Sequence, residues 1–154
     1  MKTSSVGIIL INYNQTEYTI ECLKSILESD EPNFIIILID NGSKQEQYSK
    51  LLNFTSENHT IHMKRIPLNI GYVKGVNEGI EIALELNIEY IMIMNNDTII
   101  EKSAIRYLKE SCAKYNNKAI ISGKVYHYDK RDVIQYVGHN YKNKFFLTRD
   151  YPNK

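Results

Sequence analysis

Four short polar clusters follow apolar runs in this chain: Asn12-Tyr13-Asn14, Asp40-Asn41-Gly42, Asn69-Ile70-Gly71 and Asn95-Asn96-Asp97. Their side chains are suited to a nucleoside and its phosphates. Asp40 can accept hydrogen bonds from ribose hydroxyls or from the N3–H of a pyrimidine, much as the acidic residue of dinucleotide folds grips a ribose. Tyr13 offers a ring to stack on a base. Asp97 offers one carboxylate. A hard cation such as Mg²⁺ needs only one or two carboxylates when diphosphate oxygens and water fill its other positions. There it would neutralise charge developing on a nucleoside diphosphate leaving group. Asn96 is then placed to bond the ribose, and Asn95 to brace the loop. Each cluster is also the material of an ordinary turn, because Asn, Asp and Gly form turns for backbone reasons alone. Four at successive strand exits are harder to assign to turns alone.

The elements that must position these clusters alternate along the chain. VGIILIN (6 to 12) and FIIILID (34 to 40) read as strands buried on both faces. Between them, Asn14 as N-cap with Glu17 three residues on forms a capping box. It opens a helix with Ile20, Leu23, Ile26 and Leu27 on one face. A more polar helix runs through Tyr48 and Leu52. TIHMKRI (60 to 66) is a less buried strand that Pro67 stops. A helix from Tyr72 to about Asn87 carries Val73, Val76, Ile80, Ala83 and Leu84 at helical spacing. YIMIMN (90 to 95) is the next buried strand. A helix follows with Ile105, Leu108 and Cys112 in line, and AIISGKVYHY (119 to 128) is strand-like again. Strands alternating with amphipathic helices predict an α/β domain with a mainly parallel sheet and right-handed crossovers. In such sheets ligands bind beyond the carboxyl ends of the strands, where all four clusters fall.

Gly71, Gly75 and Gly79 recur every fourth residue. This is helical spacing and not the GxGxxG fingerprint of dinucleotide binding. Two glycines inside a helix answer either a packing demand or a binding one. Asn69 and Asn77 flank the stretch and are candidates to hold its loop.

The chain has 154 residues, enough for one domain with a hydrophobic core, and a formal net charge of +1, which gives no argument for a nucleic-acid partner. Residues 1–123 carry 12 Lys/Arg against 15 Asp/Glu, and 124–154 carry 7 against 3. The basic end reads first as a solvated surface. Cys22 and Cys112 fall on apolar helix positions, as small buried thiols would, with no disulfide or metal spacing. No signal peptide is evident and no segment approaches transmembrane length. The expectation is a cytoplasmic protein, with peripheral attachment to the inner face of a membrane left open.

Taken in order, these blocks resemble the N-terminal part of a family 2 glycosyltransferase with the GT-A fold, an α/β/α sandwich with a mainly parallel sheet. VGIILINYN is similar to that family's opening strand and nucleotide loop, TIECLKSIL to its first helix, and IIILIDNGS to its second strand and turn. NIGYVKGVNEGI resembles its Gly- and Asn-rich segment, and MNNDT a DxD-type metal motif. The blocks cover roughly residues 5 to 125. The resemblance implies that Tyr13 and Asp40 contact the nucleoside, with Asn12, Asn14, Asn69 and Gly71 shaping the same site. It places Asn96 beside the ribose, and Asp97 on Mg²⁺ or Mn²⁺ at the diphosphate. The form of the motifs is most similar to the rhamnosyltransferase-like branch, whose donor is typically dTDP-rhamnose; related members use UDP-hexoses.

The departures are specific. Two of the three DxD-type positions are amides, which lowers local negative charge. Lys74 stands where a glycine is usual, and Val76 and Glu78 also differ. No segment matches the family's acceptor region or its carboxylate base; Asp129, Asp132 and Asp150 lie in no recognisable context. Residues 1–154 are therefore expected to be one nucleotide-sugar-binding domain, truncated on the acceptor side. The expected activity is metal-dependent, inverting transfer of a sugar to a polysaccharide or lipid-linked acceptor. A module that binds nucleotide-sugar without transfer is the alternative. A nucleotidyltransferase would need a Gly-rich phosphate loop and a basic residue at the first strand exit, and neither is present. Tyr126, Tyr128, Tyr136, Tyr141 and Tyr151 near the end suit strand edges better than sugar stacking, and His127 and His139 form no metal-like grouping.

Overall fold

A computed structural model describes residues 5–137, together with the backbone of two short strands, Asn140–Asn143 and Phe146–Thr148. Asp150, Tyr151 and the side chains of His139 and Tyr141 lie outside the described residues. The chain divides into two compact units, Met1–Arg106 and Tyr107–Lys154.

The first unit is built on four parallel strands, β1 (Val6–Asn12), β2 (Phe34–Asn41), β3 (Ile61–Ile66) and β4 (Tyr90–Ile93), in the order β3-β2-β1-β4. Helices α1 (Thr16–Leu27), α2 (Gln45–Thr55) and α3 (Tyr72–Glu85) connect them in turn. The uninterrupted apolar runs of β1 and β2 are explained by cover on both faces. Side chains alternate along a strand. Ile8, Leu10, Ile36 and Leu38 therefore pack with Cys22, Leu23 and Ile26 of α1, Leu51 of α2 and Ile105 of α4 (Ala104–Lys114). Ile9, Ile11, Ile37 and Ile39 face the other way, onto Val76, Ile82 and Ala83 of α3. Strand order explains the side change. The chain steps outward from β1 to β3, then returns past β1 to β4. A crossover of constant hand puts the returning helix on the opposite face. The reversal leaves a switch point between β1 and β4, the place where such sheets open a crevice.

The buried face of α3 is Gly75, Val76, Gly79, Ile82 and Ala83, whereas Val73 and Leu84, expected on it, are exposed. The axis lies one residue round from the apolar stripe because the helix packs across β1 and β2 with its glycines against Ile9 and Ile11. A Cβ at Gly79 would come 2.5 Å from Ile9 Cγ2, so packing accounts for that glycine. β4 is shorter than expected, and Ile91 and Ile93 are exposed, because it forms one edge of this sheet. Residues 119–128 were expected to form one strand. Only Val125–His127 (β5) does so, pairing antiparallel with β6 (Lys130–Tyr136) through a turn at residues 128–129. Asn140–Asn143 (β7) and Phe146–Thr148 (β8) form a second antiparallel pair. Tyr126, Tyr128, Asp129 and Asp132 are exposed on the first hairpin.

Gly79→Ala tests the α3–β1 contact. Helix propensity favours Ala by up to about 1 kcal/mol, but overpacking against a β-branched methyl in a strand costs about 1–3 kcal/mol. Urea denaturation should show a net loss of stability, and Ile9→Ala in the same chain should relieve part of it.

Candidate functional site

The carboxyl ends of β1, β2 and β4 and the loop before α3 surround a cleft of about 340 Å³ lined by Ile11, Tyr13, Gln15, Asn41, Asn69, Gly71, Tyr72 and Asn96. Of the residues expected there, Tyr13, Asn69, Gly71 and Asn96 line it. Asn12, Asn14 and Asp40 do not.

Strand alternation accounts for the difference. Asn12 and Asp40 are opposite one another in the β1–β2 register and share the α1 face with Leu10 and Leu38. Both are fully buried. Asn12 Nδ2 donates to Asp40 Oδ1 at 2.9 Å and to Ser43 Oγ at 3.1 Å. Asp40 Oδ2 accepts from the Ser43 N–H at 3.3 Å, and Arg65 Nε lies 3.8 Å from it. Arg65 is itself held by the ring of Tyr48, 4.0 Å beneath its guanidinium carbon, and by Gln45. Asp40 therefore organises the strand ends and does not reach the cleft. Its neighbour Asn41, on the face of Ile39, does. At the β2 exit the residue that borders the cleft is thus Asn41, one position beyond the expected Asp40, and the period of two along β2 is the signal that would have placed it.

Asn41 is a clamp on the loop that precedes α3. Its Nδ2 donates to Asn69 Oδ1 at 3.1 Å and to the Gly71 carbonyl at 3.3 Å, and its Oδ1 accepts from the Ile70 N–H at 3.1 Å. Asn69 Oδ1 also accepts from the Gly71 N–H at 2.8 Å. The tight turn after Asn41 needs Gly42, at φ 81°, because a Cβ there would lie 2.4 Å from the Asn69 nitrogen. Asn77 is exposed, as is Lys74. Gly71 is the N-cap of α3 and makes no side-chain cap bond, so the first N–H groups of a 14-residue helix begin at the cleft.

Asn14 does not cap α1. It sits at φ 54°, outside the extended conformation an N-cap takes, and its Oδ1 accepts from the Lys44 N–H at 2.8 Å. The N-cap is Gln15, without a side-chain bond; Thr16 Oγ1 instead donates to the Gln47 carbonyl at 3.0 Å. Glu17, the expected second half of the capping box, pairs with Lys50, whose hydrogen bond holds the Glu17 carboxyl below its usual range.

At the β4 exit, Asn96 reaches the cleft and Nδ2 donates to Thr19 Oγ1 at 2.8 Å. Asp97 follows it, exposed, one residue beyond the lining. Beneath this loop Cys22 is fully buried, with its Sγ 3.8 Å from the Asn95 carbonyl. Burial, with a smaller contribution from the Asp97 charge, pushes its thiol up to about 12. No group of three His, Cys, Asp or Glu side chains comes together among the described residues, so Asp97 is a single carboxylate beside amides.

This parallel sheet, with helices on both faces and a cleft at its switch point, is the GT-A architecture. The chain belongs to glycosyl transferase family 2, whose sequence profile matches residues 7–154. It is similar to the poly-beta-1,6-N-acetyl-D-glucosamine synthase of Staphylococcus epidermidis, 27% identical over 122 residues, covering 79% of this chain and 29% of that protein. It is 28% identical over 123 residues to the dTDP-rhamnosyl transferase RfbF of Shigella flexneri, covering 80% and 39%. The mannosyltransferase PcManGT of Pyrobaculum calidifontis, solved with GDP-Man and Mn²⁺, superposes with a TM-score of 0.61 at 18% identity, over 70% of this chain and 32% of that one. The chain spans less than half the length of these proteins.

Two outcomes follow. Asp40→Ala strands the Ser43 N–H and removes a partner of Asn12 and Arg65, so chemical denaturation should show a loss of roughly 1–3 kcal/mol. For Cys22, the thiol is raised in the folded state and ordinary in the unfolded one. Its contribution to stability is complete below about pH 9, where an exposed thiol ionises, and is lost as pH rises towards 12. Iodoacetamide at pH 8 should accordingly label the half-buried Cys112 well before Cys22, read by peptide mass.

Proposed function

We propose that this chain is the donor-binding part of a glycosyltransferase that transfers a sugar from a nucleoside-diphosphate donor to a polysaccharide or lipid-linked acceptor, with a divalent cation and inversion at the anomeric carbon. The observation that carries the reading is the cleft itself. It joins a stacking ring (Tyr13), amides (Asn41, Asn69, Asn96) and an uncapped helix start (Gly71, Tyr72) at the carboxyl edge of the sheet.

In this reading the base lies against Tyr13 and Ile11, with the Asn41 amide at its polar edge. The ribose meets Asn96. The diphosphate runs towards the β4 exit, where the N–H groups at the start of α3 favour negative charge. Asp97 and the neighbouring amides would offer a cation oxygen ligands only, which suits Mg²⁺ or Mn²⁺ and requires the diphosphate to complete the set. When bound, the cation supplies stabilisation of the leaving diphosphate. An acceptor hydroxyl would attack the anomeric carbon from the opposite face as the bond from that carbon to the diphosphate oxygen breaks; the carboxylate base that would take the hydroxyl proton is not assigned to any of these residues.

PcManGT's GDP-Man and Mn²⁺ support the use of a nucleotide-sugar and a divalent ion, and RfbF supports dTDP-rhamnose as the donor, with a UDP-hexose as the second choice. The polysaccharide synthase among the relatives supports a polysaccharide acceptor, and we propose the cytoplasm, at the inner face of a membrane, as the place of action. No helix among the described residues is long and apolar enough to cross one.

Thermal melting with UDP and with dTDP, each with and without Mn²⁺, tests the reading. At saturating ligand, a hundredfold over Kd, stabilisation of about 2.7 kcal/mol is expected. Asp97→Ala should remove the part that depends on Mn²⁺ and leave the rest. No stabilisation by either nucleotide under any metal condition contradicts a donor site. Release of nucleoside diphosphate from the sugar donor distinguishes transfer or hydrolysis from binding alone.

A further inference from the structure

Thr19 occupies a position where the periodicity of α1 calls for an apolar side chain. It lies on the buried face with Cys22, Leu23 and Ile26 and is fully buried. A threonine within a helix commonly bonds the carbonyl four residues back, and Thr19 Oγ1 lies 3.1 Å from the Gln15 carbonyl. Two side-chain partners are closer. Oγ1 is 2.8 Å from Asn12 Oδ1 and 2.8 Å from Asn96 Nδ2.

The direction of each bond follows from the next. Asp40 faces Arg65 and accepts at both oxygens, so Asn12 must present its Nδ2 to it. That turns Asn12 Oδ1, which can only accept, towards Thr19. Thr19 spends its one hydroxyl hydrogen on that side and offers a lone pair to Asn96. Asn96 can answer a lone pair only with an N–H. One end of its amide is committed to the interior, and Oδ1 is the atom left for the cleft. An amide free to turn over would offer either end, and the two ends are alike in shape.

Resting on the donor-site reading above, the structure assigns to Thr19 the role of a positioning residue: its hydroxyl transmits the polarity of Asp40 through Asn12 and sets the Asn96 amide so that a carbonyl oxygen faces the ligand. The groups that such an oxygen serves are a ribose hydroxyl, which donates to it, and a divalent cation, which it ligates. Thr19→Val keeps the shape and removes the hydroxyl. Thr19→Ser keeps the hydroxyl.

The full chain is titrated with dTDP and with UDP in Mn²⁺, and the Asn96 side-chain amide is followed in a proton–nitrogen correlation spectrum, assigned by its loss in Asn96→Ala. Thr19→Val should move the Asn96 amide pair and weaken nucleotide binding about tenfold, and Thr19→Ser should return both to near the original values. An unmoved amide pair in Thr19→Val overturns the assignment. So does unchanged affinity in a chain that binds nucleotide, and so does a serine variant as weak as the valine one. If the unaltered chain binds neither nucleotide, the donor-site reading fails, and the amide spectrum alone decides whether Thr19 orients Asn96. Thr19→Ala gives the same readings if the valine variant does not fold.

Discussion

Parallel strands end together, and their ends cannot be left bare. The constraint that organises this molecule is that the polar groups at the exits of β1, β2 and β4 must be satisfied where they are shut away from water. A buried donor or acceptor without a partner costs roughly 1–3 kcal/mol. Here Asp40, Asn12, Ser43, Thr19 and Asn96 satisfy one another, and no buried side-chain nitrogen or oxygen among the described residues lacks a hydrogen bond. The same bonds hold three strand exits in fixed relation to α1. A second set, centred on Asn41, ties β2 to the loop before α3.

The two sets lie on opposite faces of the sheet, and this divides the labour. On the α1 face the polar groups are spent on each other. On the α3 face they border the cleft. Asn96 belongs to both, because it donates inward to Thr19 and also lines the cavity. Rigidity at the interior end of that side chain becomes orientation at its outer end, which a binding site requires of its polar groups.

Much of this was legible in the residues. The apolar runs of β1 and β2 fall within a residue of the observed strands; the α/β alternation gave the parallel sheet, and the resemblance of the ordered blocks gave the family. The site was legible at the level of loops and not of side chains. Asp40 drew attention as the charged member of its cluster, yet the pleat of β2 turns it inward and presents Asn41. Asn14 looked like a helix cap because Asn and Glu at that spacing usually are one; its positive φ forbids it. The face of α3 was misplaced because Gly75 and Gly79, which contribute no apolar signal, both lie on its buried face. Thr19 opens the TIECLKSIL block, but nothing in that block marked it as a site residue. Its role depends on partners 7 and 77 positions away, which only the fold brings together.

The central claim is that nucleoside diphosphate and a divalent ion share the cleft at the β4 exit. Paramagnetic broadening by Mn²⁺ reads this residue by residue. With dTDP or UDP present, backbone signals of Asn96, Asp97 and the start of α3 should broaden first, and without nucleotide they should broaden far less. Broadening that is indifferent to nucleotide, or centred on residues away from the carboxyl ends of the strands, would contradict the account.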